Sequence, residues 1–278
     1  VTLDLATSLG KRVDRDLTAR VESAVREQST GQVGQVTLTL EASSLDEATR
    51  LLPLGAMVAI QGRRYQVGRR ERRVLPDGRV VGAYRCRSQL AKTLRSEYVT
   101  RASSKVSAAQ WVATAVRRAG GKVIVQTSAV RETITQRGGS ERTSTLKAIE
   151  GLAGSLQWSW SESDGQVIFA SGYAILTGAV TVPVYKVNLA TVGDFAPWDS
   201  DDSNEATGGA TMILPAGSPA DPLHAVNLTG AGAVDSGRWV IESTAENLLT
   251  EDGVTVNVTR PRRPVARHKD TKKGTATA

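Results

Sequence analysis

Residues 225–258 read AVNLTGAGAVDSGRWVIESTAENLLTEDGVTVNV, and residues 57–81 read MVAIQGRRYQVGRRERRVLPDGRVV. Side by side they spell one plan twice. Val58-x-Ile60-x-Gly62 answers to Val226-x-Leu228-x-Gly230, and Tyr65-x-Val67 to Trp239-x-Ile241. Asp77-Gly78 followed by Val80-Val81 answers to Asp252-Gly253 followed by Val254-x-Val256. The span from aromatic to turn glycine is 13 positions in one copy and 14 in the other, while the gap from the first glycine to the aromatic grows from 3 to 9 by a loop insertion. Each copy therefore reads strand, Gly turn, aromatic-led strand, Asp-Gly turn, strand, with the period-two alternation of half-buried strands. A repeated antiparallel unit predicts an α+β chain that is mostly β, with two similar small β-barrel domains flanking an α/β insert.

Working outward, residues 19–27 and 34–42 alternate apolar and polar as strands, and residues 43–52 predict a short helix capped by Ser43 or Ser44 and ended by Pro53 and Gly55. Residues 107–119 place Ala108, Trp111, Val112, Ala115, Val116 and Ala119 on one helical face behind Ser107, with Gly120-Gly121 as the stop and KVIVQTS as a following strand. The plan recurs at 143–171: a helix from Thr143 or Ser144 with Leu146, Ile149, Leu152 and Ala153 on one face, a strand with Trp158 and Trp160, and an Asp164-Gly165 hairpin. The tryptophans Trp111, Trp158 and Trp160 are read as apolar anchors. After 171 the pattern returns to short strands, beginning with YAILTG at 173–178. The expected division is a first β domain at 1–101, the insert at 102–171, a second β domain at 172–260 with a long acidic loop at 194–222, and a flexible basic tail at 261–278.

Composition narrows the function. The chain has 278 residues, a net charge of +7, one cysteine and two histidines. A lone Cys86 excludes an intramolecular disulfide and a cysteine-based zinc site. No apolar run approaches the length of a membrane-spanning helix, and the N-terminal stretch lacks the layout of a signal peptide. No G-x-S-x-G is present, Gly10-Lys11 and Gly121-Lys122 lack the Ser or Thr of a phosphate-binding loop, and Gly230-x-Gly232 lacks the rest of a dinucleotide fingerprint. His224 and His268 are read as non-catalytic, although a Cys86–His224 dyad stays open. Asp199, Asp201, Asp202 and Glu205 have the composition of a cation loop but lack the glycine and the bidentate glutamate that an EF-type site requires. Glu150 and Glu162 sit on faces that read as structural. No catalytic residue, metal ligand or cofactor site is assigned.

The charge is segregated. Residues 61–101 carry a net +9 and residues 160–250 a net −9. Arg63, Arg64, Arg69, Arg70, Arg72 and Arg73 have only Tyr65 among them, a poor base-stacking platform, so pairing between subunits is preferred over nucleic-acid binding.

With these residues in view the chain resembles the hub proteins of phage tail tips, found also in the baseplates of contractile injection machines. The resemblance rests on Leu54-Gly55-x-Met57-Val58-x-Ile60-x-Gly62, on Ala148-Ile149-Glu150-x-Leu152-Ala153 with Leu156-x-Trp158, and on Ser236-Gly237-Arg238-Trp239-Val240, and it covers about residues 19–260. It implies a non-enzymatic, homotrimeric, pseudo-six-fold ring joining the tail tube to spike or tip proteins, with the tape-measure protein as a further neighbour. It also implies DNA only in transit, no membrane insertion, assembly in the host cytoplasm and residence at the virion tail tip or baseplate. Two other readings are a tail-associated cell-wall hydrolase and a polyanion-binding module built on the Arg-rich 61–101 block.

Overall fold

A computed structural model describes residues 3–6, 17–60, 63–99, 103–127, 131–134, 143–199, 208–250 and 252–263. The first part holds β1 (Leu3–Ala6), β2 (Val21–Ser29), β3 (Gln35–Ala42), α1 (Leu45–Arg50), β4 (Met57–Ile60), β5 (Arg63–Val74), β6 (Val80–Ser88) and α2 (Gln89–Ser96). The middle holds β7 (Ser103–Ser107), α3 (Ala108–Arg118), β8 (Lys122–Val125), β9 (Arg131–Ile134), α4 (Thr145–Leu156), β10 (Ser159–Ser163), β11 (Gln166–Ala170) and α5 (Gly172–Leu176). The last part holds β12 (Val184–Asn188), β13 (Gly193–Asp199), β14 (Gly208–Leu214), β15 (Ala225–Thr229), α6 (Gly232–Asp235), β16 (Gly237–Asn247) and β17 (Val254–Thr259).

The strand order bears out the repeat. The first part pairs as β1-β4-β5-β6-β3-β2 and the last as β12-β15-β16-β17-β14-β13, the same order position for position. The quoted aromatics occupy matching places, Tyr65 opposite Val58 and Trp239 opposite Val226. Only the outermost pairing differs in sense, antiparallel for β1–β4 and parallel for β12–β15. Gly62 lies outside the described residues. The two modules share one twelve-stranded sheet, because β2 pairs antiparallel with the second half of β16. Among the described residues no pairing closes either module into a barrel.

Each module owns a core. Leu38, Leu40, Val58, Ile60, Tyr65 and Tyr84 fill the first, and Met212, Leu214, Val226, Trp239, Ile241 and Val256 the second. Trp239 is 2% exposed, its indole N–H donates to the Asp235 carbonyl (2.9 Å), and the Arg260 guanidinium lies 3.9 Å over its ring. The insert core joins Val112, Val116, Leu146, Ile149, Leu152 and Phe169, with Trp158 edge-on to Phe169 at 5.3 Å. A fourth cluster, Ile168, Ala170, Ile175, Leu223 and Val240, welds β11 and α5 to the second module.

Local chemistry sets the helix starts. Ser44, Ser107 and Ser144 accept from backbone N–H groups three residues on, as the sequence predicts. Replacing Ser144 by alanine leaves the Lys147 N–H without its cap, and urea unfolding is expected to show a loss of about 1 kcal/mol; an unchanged midpoint would mean that water satisfies that N–H equally well.

Three elements depart from the sequence reading. Residues 173–178, expected as a strand, lie largely in α5: Ser171 accepts from Ala174 N–H and starts the turn, burying Ala174 and Ile175. The expected loop at 194–222 contains β13 and β14. The strand Gly208–Leu214 alternates buried and half-buried side chains inside a stretch whose Gly, Asp and Pro content masked it. Gly209 belongs there for a steric reason, since the Trp198 ring occupies the space of a Cβ. Helix α2 was not expected. Ser88 caps it, and Leu90, Ala91 and Leu94 face the insert core.

Candidate functional site

The sequence assigned no catalytic site, and the chemistry-bearing residues of the structure gather where the two modules and the insert meet. The two-residue β10–β11 hairpin needs positive φ at both turn positions, and Asp164 (50°) and Gly165 (80°) supply it. That turn presents the Asp164 carboxylate to the first module. Tyr65 Oη donates to its Oδ1 at 3.3 Å, and Arg63 Nη1 sits 2.5 Å from its Oδ2, an ion contact without hydrogen-bond alignment. Burial raises the pKa of Asp164, against the pull of Arg63 and Arg26.

Arg26 is the centre of the group. It projects from β2, is 4% exposed, and binds Asp221 in a short charge-assisted contact, with Glu246 Oε2 at 3.5 Å and Asp164 Oδ2 at 3.8 Å. From the first module it reaches the other two parts of the fold: Asp221 and Glu246 belong to the second module, Asp164 to the insert. With its amide carbonyl toward Arg26 (3.3 Å), Gln28 donates to Asp221 Oδ1 (2.8 Å) and accepts from Ser163 Oγ (3.1 Å). Next to them Ser161 Oγ donates to the Pro222 carbonyl (3.0 Å).

The β2–β3 turn ties the same three parts together through the backbone. Thr30 N–H donates to the Glu242 carbonyl (2.8 Å), Gly31 N–H to Trp160 (2.6 Å) and Gly34 N–H to Glu162 (2.8 Å). A Cβ on Gly34 would fall 2.7 Å from the end of the Gln28 side-chain amide and 3.2 Å from the Glu162 carbonyl oxygen, so the packed turn must shift to admit one. Glu162 is 1% exposed; its Oε1 accepts from Ser88 Oγ (2.6 Å) and Gly165 N–H (3.1 Å), while Oε2 is buried without a partner among the described residues. Burial pushes its pKa up to about 7.

The residues singled out from sequence are placed as follows. His224 is buried, its backbone N–H donating to the Asp221 carbonyl (3.1 Å) and its Nδ1 3.0 Å from Tyr185 Oη, and burial lowers its pKa. Tyr185 gives its one proton to the Pro219 carbonyl, so His224 donates through Nδ1–H. Cys86 is fully buried in the first core, its thiol turned to the Tyr84 carbonyl (3.7 Å) and pushed up to about 12 by burial; it and His224 are not brought together. Glu150 is exposed on α4. Trp160 is buried, and Trp111 and Trp158 pack partly buried on the insert core. His268, Gly10, Lys11, Asp201, Asp202 and Glu205 lie outside the described residues, and Asp199 ends β13. Among the described residues no His, Cys, Asp and Glu cluster is arranged to hold a metal, and no helix is long and apolar enough to cross a membrane.

The Arg-rich block divides in two. Arg63 faces the junction, whereas Arg69 and Arg73 flank Glu71 on the exposed β5–β6 ribbon (3.1 and 3.3 Å) and Arg72 reaches Thr49. A cleft of about 420 Å³ between α2 and β5 is lined by Arg87, Lys92 and Arg95; among the described residues no carboxylate pairs with them, and burial lowers the pKa of Arg87. The junction itself was not visible from sequence. Its members are spread from residue 26 to residue 246, and the only local signals were an arginine on an apolar-alternating strand and an Asp-Gly turn.

Solved structures with this architecture exist. The 43 kDa tail protein of prophage MuSo2 from Shewanella oneidensis matches over 93% of this chain and 96% of its own, with a TM-score of 0.61 at 12% identity. The chain has a phage tail-protein fold. A tail protein from Neisseria meningitidis matches at TM-score 0.60 and 11% identity, over 93% of this chain and 96% of that one. An Escherichia coli component of the type VI secretion system, described as structurally similar to the T4 bacteriophage tail proteins gp27 and gp5, matches at 0.60 and 14% over 95% and 80%. No family model and no curated protein matches the sequence. The likeness to tail-tip and baseplate proteins read from the repeat and the insert thus holds at the level of the fold.

Proposed function

We propose that the chain is the structural hub of a phage tail tip or baseplate: a homotrimer whose six β modules form a pseudo-six-fold ring joining the tail tube to spike or tip proteins. The observation that carries this reading is the duplicated strand order in a single sheet. A chain with two equivalent modules presents one kind of surface six times in a trimer. It can therefore meet a six-fold tube on one face while keeping three-fold symmetry for a spike on the other. The buried Arg26 junction serves this role by fixing one module against the other, so that their spacing survives load.

In this reading the protein is not an enzyme. Each junction carboxylate is engaged by an arginine, or by Ser88 and a backbone N–H, and none addresses a nucleophile. The modules correspond to the domains at 1–101 and 172–260, with the insert at 102–171 bracing neighbours or the spike, and the particle is assembled in the host cytoplasm. Imaging of the purified protein or the particle tests the proposal. Class averages are expected to show a three-fold ring with six similar lobes around a channel; a different subunit number in the assembled particle overturns it.

The cations of the α2 cleft, without a carboxylate partner among the described residues, favour a second reading, a polyanion-binding module. It requires duplex-DNA affinity that falls steeply with salt and is lost in K92E/R95E.

A further inference from the structure

The modules repeat their register as well as their order. One residue bulges at the same place in β5 and β16: Gly68 between Val67 and Arg69, Glu242 between Ile241 and Ser243. Matching the bulges makes Arg70 the counterpart of Thr244, Glu71 of Ala245 and Arg72 of Glu246. On the other side, Val36 faces Cys86 as Ala210 faces Val258, which makes Arg26 the counterpart of Pro197, Glu27 of Trp198 and Gln28 of Asp199.

Within the chain, the second half of β16 is covered by β2, with Thr244 opposite Gln28 and Ala245 opposite Glu27. The counterparts of those two strands, Arg69–Val74 of β5 and the whole of β13, each keep one unpaired edge among the described residues, and both are largely exposed. Their charges are opposite. Residues 69–74 carry four arginines and one glutamate, while residues 193–205 carry Asp194, Asp199, Asp201, Asp202 and Glu205 with no basic side chain. Six strands separate β5 from β13 along the sheet of one chain, so the two edges are at its opposite ends.

We propose that β13 of one copy adds to the open edge of β5 in the next copy, in the register of the intrachain β2–β16 pairing, so that Asp199 lies opposite Arg70 and Trp198 opposite Glu71. The partner is a second copy of this chain. An unpaired strand edge is a template for such addition, and the acidic strand is drawn to the arginine ribbon during encounter. Pro197 withholds one N–H donor from the edge strand, which disfavours indiscriminate pairing. The contact is heterologous, so each repetition adds a chain until the ring closes. Closure at three chains rests on the hub reading; the strand pairing does not. The two kinds of junction differ in strength. The intrachain one contains buried Arg26, whereas its inter-copy counterpart places Pro197 opposite Arg72 and relies on exposed charges, so it forms and parts with ionic strength.

The test is a cross-link in the full chain. Cross-strand partners hold their Cβ atoms about 4.5–5.5 Å apart, close to disulfide reach. The variant R70C/D199C, treated with oxidised glutathione, is expected to give covalent multimers; E71C/D199C, whose residues face opposite sides of the sheet, is expected to give at least about tenfold less. Buried Cys86 stays out of the reaction. A charge swap supplies the second measurement: R70D and D199R each weaken self-association about tenfold in sedimentation, and R70D/D199R restores it. Absence of a cross-link in R70C/D199C, or equal cross-linking in both pairs, overturns the strand addition. Trimers that form untouched by any of these variants overturn it while leaving the trimer standing. Efficient cross-linking that ends at another chain number overturns the trimer and leaves the strand addition standing.

Discussion

Replacing Arg26 by methionine is expected to lower the unfolding free energy by about 3–5 kcal/mol at pH 7–8, since one partner of a buried charge network is removed and the others stay. Asp221 and Glu246, both under 10% exposed, lose the cation they face, and Gln28 loses a donor. Arg63 remains for Asp164 and stands 4.0 Å from Asp221, so the insert contact persists better than the contact between modules. The loss therefore falls mainly on the β2–β16 seam, and urea unfolding of R26M is expected to lose cooperativity as the modules part at different denaturant concentrations. In a double-mutant cycle, R26M/E246Q is expected to be less destabilised than the sum of the single changes, because E246Q removes a charge that R26M strands. A single cooperative transition within about 1 kcal/mol of the unaltered chain would show that the network adds no stability beyond its packing.

The seam explains why the sequence disclosed the modules and not what binds them. Period-two alternation in 34–42, the Ser44, Ser107 and Ser144 caps and the three Asp-Gly turns are local signals, and each element they mark is present. The repeat was readable for the same reason, because Tyr65 and Trp239 each lead a strand whose length is set by its own turn. Arg26, Asp164, Asp221 and Glu246 carry no local mark, since each is an ordinary polar residue until the fold places it beside the others. Helix α2 had readable signals in Ser88, Leu90, Leu94 and Arg95, overshadowed by the arginine run before it. The strand Gly208–Leu214 was hidden by composition, because it opens on two glycines, of which Gly209 makes room for the Trp198 ring. The charge segregation that pointed to pairing between subunits is partly spent inside the chain, where Arg63 and Arg26 meet Asp164 and Asp221. The exposed remainder, the β5 ribbon and β13, is what stays available to a neighbour.

Glu162 makes the same region sensitive to pH, and E162Q is expected to remove that sensitivity. In the folded chain its pKa is raised by burial from 4.5 to about 7, with Asp164 and Asp221 adding to the rise and Ser88 and Gly165 opposing it. A raised folded pKa means that the native state holds the proton more tightly than the unfolded chain. The stabilisation is complete below about pH 4.5. It declines as pH rises, by up to about 1.4 kcal/mol per pH unit, and is gone above pH 7, a total of roughly 3 kcal/mol. Glutamine reproduces the neutral carboxyl at every pH. E162Q is thus expected to match the unaltered chain near pH 4.5 and to exceed it by roughly 2–3 kcal/mol at pH 8, where the native protein must keep a buried anion whose Oε2 has no donor among the described residues. Half-buried carboxylates such as Glu47 and Glu71, held low by their hydrogen bonds, give the opposite slope, so the informative quantity is the difference between the two proteins across pH 4.5–8. Parallel stability curves would place Glu162 as an ordinary ionised carboxylate and sink the assignment. A difference that opens with pH would instead locate a proton at the point where β10 meets the Gln32–Gly34 turn of the first module, so that alkaline conditions loosen the insert before they loosen either module.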